Sequence, residues 1–421
     1  MSVFAFVGRD RQVHLGDAAG SRVWALTGAV PGNDRPWGAL AARRDAWSWP
    51  TWSPDGAWIA CFAAEESDED SGPARIVALS IDGVREEAWG HVETGIPVYV
   101  QWSPSGAHLA VLAQDGQELS LTLVSRARLG RVREVASGLP LFFNWTPEDT
   151  ILLHVGQETG DTGLVLRDPV GTEADVPYPS SPGSFCAPVF AGGRPVYAVE
   201  GEEGASEVVT SRMDGADSRT LARYLGLLAI VPAPRRPWVA LSASQRGEGS
   251  PYDGIDLVQL YTGEVRRVSE SACLAYFWAP DGSYLLQAVV DHPANGVTWW
   301  RVDVEGGPPR RLATFWPTRD TLFFLHFFDQ YGQSHSPLSP DGRWLVYAGY
   351  PVGGTQADVS VPARIWVLDL EATGVEARPV AEGTFATFPP PPSERGTPAP
   401  GPAAPEPEEA PAGAFLDDDV C

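Results

Sequence analysis

Trp52-Ser53-Pro54-Asp55-Gly56 leads into an apolar run, Trp58-Ile59-Ala60-Cys61-Phe62, and the pair recurs along the chain. The pentad returns as Trp102-Ser103-Pro104-Ser105-Gly106 and as Trp145-Thr146-Pro147-Glu148-Asp149. It appears again as Trp278-Ala279-Pro280-Asp281-Gly282 and, with leucine first, as Leu338-Ser339-Pro340-Asp341-Gly342. Each copy precedes an apolar run of strand length, and most show a second run further on, at 74–83, 118–124, 297–306 and 363–371. Short runs rich in Val, Ile, Tyr and Trp read as strands. Between the first two strands, proline presets φ, aspartate bonds the backbone ahead of it, and glycine takes the positive φ. The tryptophan suits a seam where one flat ring covers two neighbouring sheets.

The spacing gives the count. Successive motifs lie 50, 43, 133 and 60 residues apart, and 133 is three times a period of about 44. Two worn copies therefore belong in that gap, and 188–200 (PVFAGGRPVYAVE) and 230–243 (IVPAPRRPWVALSA) have the right shape. Residues 3–28 match the second, third and fourth strands of a unit, and 384–388 match a lone first strand. A four-stranded unit cannot bury both faces alone, so the units must stack and close. The expected fold is all-β: a single β-propeller of eight four-stranded blades, with seven as the alternative. The expected domains are a propeller over 1–388, closed by strand 384–388, and a disordered tail over 389–421.

The repeat resembles that of the TolB-like β-propellers, relatives of the WD-repeat propellers. The resemblance rests on the W-S-P-D-G turns and spans residues 3–388. It implies a fold and leaves function open, because propellers host many unrelated activities. The same repeat builds the propeller domains of prolyl-oligopeptidase-like enzymes, which carry a separate hydrolase domain.

Composition excludes several chemistries. The 421 residues carry 30 basic side chains against 54 acidic ones, a net charge of −24. All the basic residues are arginine; the chain contains no lysine. A Walker-type phosphate loop or a lysine Schiff base is thus impossible. The negative charge opposes nonspecific binding to nucleic acid or an anionic membrane. Cys61, Cys186, Cys273 and Cys421 form no CxxC pair, and no histidine lies in HExxH or HxH, so neither metal nor cofactor is expected. No GxSxG elbow occurs. His108 and His154 fall in second strands and read as core or seam residues. The acidic string Glu65–Gly72 lacks calcium-loop spacing and reads as a solvated insertion. The apolar run ahead of Arg9 is only five residues, Val3 to Val7, too few for a secretory leader, and no run reaches membrane-spanning length. The expected compartment is the cytoplasm, and the expected state a monomeric ring.

The 60-residue interval contains an insertion, Phe323-Phe324-Leu325-His326-Phe327-Phe328-Asp329-Gln330-Tyr331-Gly332-Gln333-Ser334-His335. It precedes an inner strand, so as a strand-entry loop it would lie at the mouth of the channel. Asp329, Gln330, Tyr331, Gln333, Ser334 and His335 are the candidate binding residues; the competing reading has them satisfying buried backbone. The tail is ten prolines in the 23 residues from Pro389 to Pro411, followed by Phe415, Leu416, Asp417, Asp418 and Asp419. Such a composition cannot offset the entropy of folding, and its end reads as a tethered docking peptide. The expected function is a noncatalytic scaffold for a protein or peptide partner. The alternatives are a propeller-type hydrolase or lyase, or an accessory subunit of a separate peptidase.

Overall fold

The computed structural model describes residues 2–390 apart from residues 21, 94, 117, 373 and 375 and the segments 29–44, 66–72, 157–161, 172–174, 178–185, 246–249, 292–295, 354–355 and 358–360. The tail residues Phe415 to Asp419 and most of the acidic string lie outside the described residues.

Eight blades follow one another along the chain. Five are separate four-stranded antiparallel sheets. The first of these, blade 2, comprises Asp45–Trp52, Trp58–Glu65, Ala74–Ser80 and Glu86–Val92. Blades 3 to 6 begin with the inner strands Ile96–Trp102, Leu141–Trp145, Val189–Ala191 and Leu227–Pro232. The two worn copies are therefore the starts of blades 5 and 6. The other three blades share an eleven-stranded sheet. Blade 7 starts at Ala275–Trp278, and blade 8 contains Trp344–Gly353, Arg364–Asp369 and the long strand Arg378–Thr387. In blade 8, Leu338 bridges Leu345 on the inner side. Arg378–Thr387 serves two blades. Its first half pairs with Arg364–Val367, and its second half pairs with the N-terminal strand, Ala5 facing Thr387 and Val7 facing Phe385. Blade 1 thus joins the two ends of the chain, its other strands being Val3–Gly8, Val13–Asp17 and Val23–Ala25.

The core lies in the seams. Trp102 of blade 3 donates its indole N–H to the carbonyl of Thr51 in blade 2 at 3.0 Å. Trp52 does the same to Thr387 of blade 1, and Trp278 to Val231 of blade 6, each at 3.2 Å. Each of these three tryptophans therefore ties its own blade to the preceding one, whereas the buried indole N–H of Trp145 in blade 4 makes no such bond. Within the turn, Asp55 accepts from Ser53 Oγ and the N–H of Ala57, while Gly56 sits at φ 68°. Asp281 and Asp341 cap their turns in the same way, with Gly282 and Gly342 at positive φ. Where blade 3 has Ser105 in place of aspartate and Gly106 at positive φ, the missing carboxylate comes from its neighbour. Asp149, standing at the glycine position of the next turn, accepts the N–H of Ser105 at 3.0 Å. His108 and His154 lie in seams, His108 stacked on Trp145 and His154 buried with Nδ1 3.4 Å from the Cys186 carbonyl.

Candidate functional site

The insertion between blades 7 and 8 is helical where the sequence suggested a loop. Helix α1 is Arg319–His326 and helix α2 is Phe328–Tyr331. The local reason is capping: Thr318 Oγ1 accepts the N–H of Thr321, and Asp320 stands in the first turn, where the helix dipole favours an anion. The two helices enter the channel from the end where outer strands cross to the next inner strand.

An inner strand is a sheet edge, and its channel-facing N–H and C=O groups need partners. The inserted segment supplies them. Gln330 Nε2 donates to the carbonyl of Phe143 in blade 4 at 3.0 Å, and its Oε1 accepts the N–H of Phe143 at 3.4 Å. The Gln330 carbonyl accepts from the Tyr99 hydroxyl of blade 3 at 3.0 Å. The Tyr331 hydroxyl donates to the Val98 carbonyl of the same blade. Thr318 Oγ1 donates to the Thr384 carbonyl in blade 1, and Thr321 Oγ1 to the Ala348 carbonyl in blade 8. Asp329 accepts backbone N–H groups from Gln330 and from Ala187, beside blade 5. Phe328 packs on Tyr276 of blade 7 and on Tyr252 of blade 6. Through bonds or ring contacts, the segment reaches all eight blades.

Of the six candidate residues, Asp329, Gln330, Tyr331, Ser334 and His335 are buried, and Gln333 is half-buried with its amide on the Asp329 carbonyl. The side chains of Ser334 and His335 form a continuous chain with Thr51 and Tyr99. Thr51 Oγ1 lies 3.0 Å from His335 Nε2, His335 Nδ1 lies 2.8 Å from Ser334 Oγ, and Ser334 Oγ donates to the Tyr99 hydroxyl at 2.8 Å. Burial pushes the His335 imidazole down to about 3, so it stays neutral. The Ser334–His335 pair is thus held between Tyr99 of blade 3 and Thr51 of blade 2. Burial pushes the Asp329 carboxyl the other way, up to about 6.

Sequence reasoning missed two contributions. Trp49 bulges from the inner strand of blade 2 at φ 51° and packs between Tyr331 and Phe385, at 4.9 and 5.0 Å between ring centres. Its signal was Pro50, which a strand tolerates only at an edge or a bulge. The second is a cavity of about 240 Å³ beside the helices, reached from the same end of the channel. Phe142 of blade 4, Ser244 and Tyr252 of blade 6, and Leu322, His326 and Asp329 of the insertion are among its walls. Leu322 and His326 are exposed at this end, and Phe323 and Phe327 are half-buried. No motif marks Phe142, Ser244 or Tyr252, because the ring brings them to the insertion from different blades. Among the described residues, no group of three or more His, Cys, Asp or Glu side chains is placed to hold a metal ion.

Comparison with solved structures matches this architecture. A eukaryotic initiation factor aligns over 93% of this chain and 99% of its own, at 11% identity and a TM-score of 0.54. The propeller domain of the Trilobed protease from Pyrococcus furiosus, which has an open velcro topology, aligns over 80% of this chain and 98% of its own, at 10% identity and a TM-score of 0.50. The chain has the β-propeller fold. TolB from Acinetobacter baumannii is similar over 73% of this chain and 65% of its own, at 14% identity and a TM-score of 0.39. No sequence-family profile and no curated protein matches the chain. In contrast to an open ring, this propeller interleaves its termini in blade 1. No helix among the described residues is long and apolar enough to cross a membrane.

Proposed function

We propose that this propeller is a noncatalytic scaffold that binds a protein or peptide partner at the plugged end of its channel. The observation that carries the reading is the surface around the cavity: Leu322 is 48% exposed, with Phe323, Phe327 and His326 beside it. An exposed apolar rim around a cavity suits an anchor side chain from a partner. The polar side chains that could have served acid–base chemistry, Ser334 and His335, are engaged with Tyr99 and Thr51. The test pans a random peptide library on the immobilised full chain. Selected peptides should bind the parent and the Glu148→Arg variant, altered at the opposite end, and lose at least tenfold affinity for Leu322→Glu. Equal binding to Leu322→Glu, or no selection at all, would sink the reading.

The tail, 389–421, is proposed as a separate flexible segment whose Phe415 and Leu416, beside Asp417, Asp418 and Asp419, add a second contact to the same partner. Burying two such side chains contributes roughly 3–6 kcal/mol before ordering costs, and tethering makes a weak contact matter. Phe415→Ser with Leu416→Ser should then weaken capture of the partner, and salt should weaken it in the parent. Unchanged capture at every salt concentration would reduce the tail to a solubiliser. We place the protein in the cytoplasm as a monomer, a setting that suits the buried free thiols of Cys61, Cys186 and Cys273. Cell fractionation and sedimentation check both statements.

A further inference from the structure

The cavity holds two polar features that the ring's own architecture does not explain. Ser244 is 1% exposed, lines the cavity, and its Oγ has no hydrogen-bond partner. Buried hydroxyls are seldom left so, because the lost hydration is not replaced. Asp329 lines the same cavity and is 8% exposed. Its carboxylate takes three backbone N–H groups, those of Gln330, Ala187 and its own residue, which leaves acceptor capacity for a further donor. Among the described residues no arginine or histidine stands as its counter-ion, and the chain contains no lysine. An anion buried without a cation is costly, and a charged ligand removes that cost. The walls add aromatic rings, Phe142, Tyr252 and Phe327, whose faces attract cations.

We propose that this cavity binds a primary ammonium group carried on a short apolar stem. The proposal rests on the partner-binding reading above and names the anchor that reading requires. An ammonium presents three donors from one compact atom, which suits a cavity whose walls offer both a carboxylate and a hydroxyl oxygen. A guanidinium suits the cavity less well, because its planar fork favours a carboxylate with both oxygens free, and here backbone N–H groups already occupy Asp329. The ammonium can come from a partner's lysine side chain or from a free small amine.

The test is calorimetric titration of the full chain at constant ionic strength with n-butylammonium chloride, and with 1-butanol as the neutral counterpart. The parent should bind the ammonium saturably and at least tenfold more tightly than the alcohol. Asp329→Asn should lose tenfold or more of that affinity while keeping its hydrogen-bonded place. Ser244→Val, which fills the cavity without touching the carboxylate, should lose binding too, and it serves if the first variant fails to fold. Equal binding of alcohol and ammonium, or ammonium binding unchanged in either folded variant, would overturn the proposal. A second arm titrates a blocked pentapeptide with a central lysine against its norleucine analogue. Tighter binding of the lysine peptide than of butylammonium supports a partner chain as the source. Binding of the free amine with exclusion of the lysine peptide keeps the ammonium site and overturns the partner reading alone.

Discussion

Gln330→Leu isolates the bond between the inserted helices and the ring. Leucine nearly conserves volume, so the change removes polar atoms without opening a large void. Two groups lose their partner, the Phe143 carbonyl, held at 3.0 Å, and the Phe143 N–H, held at 3.4 Å. Both belong to the channel edge of an inner strand, where no neighbouring strand can replace the amide. Leaving a buried backbone group unsatisfied costs about 1–3 kcal/mol, so the pair should cost about 2–6 kcal/mol. The longer of the two bonds is the weaker, which places the expectation in the lower half of that range. Gln330→Asn keeps an amide but is one methylene short, and it should lose a comparable amount. Urea unfolding followed by tryptophan fluorescence reads the change as a lower midpoint with the slope preserved. A loss below about 0.5 kcal/mol in Gln330→Leu would show that the insertion merely rests in the channel.

Trp102→Phe removes the indole N–H from the Thr51 carbonyl, and the seam between blades 2 and 3 should lose about 1–3 kcal/mol by the same assay; an unchanged midpoint would contradict the seam role of the repeat tryptophan. Truncation after Asp369 removes Phe385 and Phe388, 3% and 0% exposed, with the strand that completes blade 1, and should abolish cooperative unfolding. Truncation after Pro392 should leave the melting curve in place, and a shorter chain that melts like the parent would refute closure by that strand. The pH dependence has two opposing parts. His335 stays neutral down to about 3 against an ordinary 6.5, so acid costs stability across that window as the unfolded chain takes up the proton first. Asp329 titrates near 6 against an ordinary 3.8, so between those values the folded state holds the extra proton and stability grows as pH falls. Asp329→Asn removes the second part, and its stability should fall more steeply than the parent's between about pH 6 and 4; parallel profiles would show that the carboxyl is not desolvated.

The repeat was legible because its turn chemistry is local. Trp52, Trp102, Trp145 and Trp278 announce where first strands end, and proline, aspartate and glycine dictate the turn from three residues alone. Even the worn copies at 188–200 and 230–243 keep the strand lengths that place blades 5 and 6. Ser105 was legible only as a departure, since its substitute, Asp149, sits 44 residues on and is brought near by blade stacking. The insertion shows the same limit. Its aromatic run marked it as unusual, and its position before an inner strand placed it at the channel. Its helicity turned on one cap, Thr318, and its burial on Trp49 and Phe385, which come from opposite ends of the chain. Of the cavity's walls only the insertion was marked in the sequence, through Asp329, because Phe142 and Ser244 are ordinary residues until closure brings them beside it.

Native-state hydrogen exchange tests the central claim most directly, namely that the inserted helices are part of the ring's core and tie its blades together. The amides of Phe143, Tyr331 and His335 report on this, the first bonded to the Gln330 side chain and the others within the segment. If the claim holds, all three exchange only through global unfolding, with the same free energy and denaturant dependence as the innermost strands. Exchange of these amides through a smaller opening, while the blades stay protected, would mean that the insertion swings free of an independently stable ring.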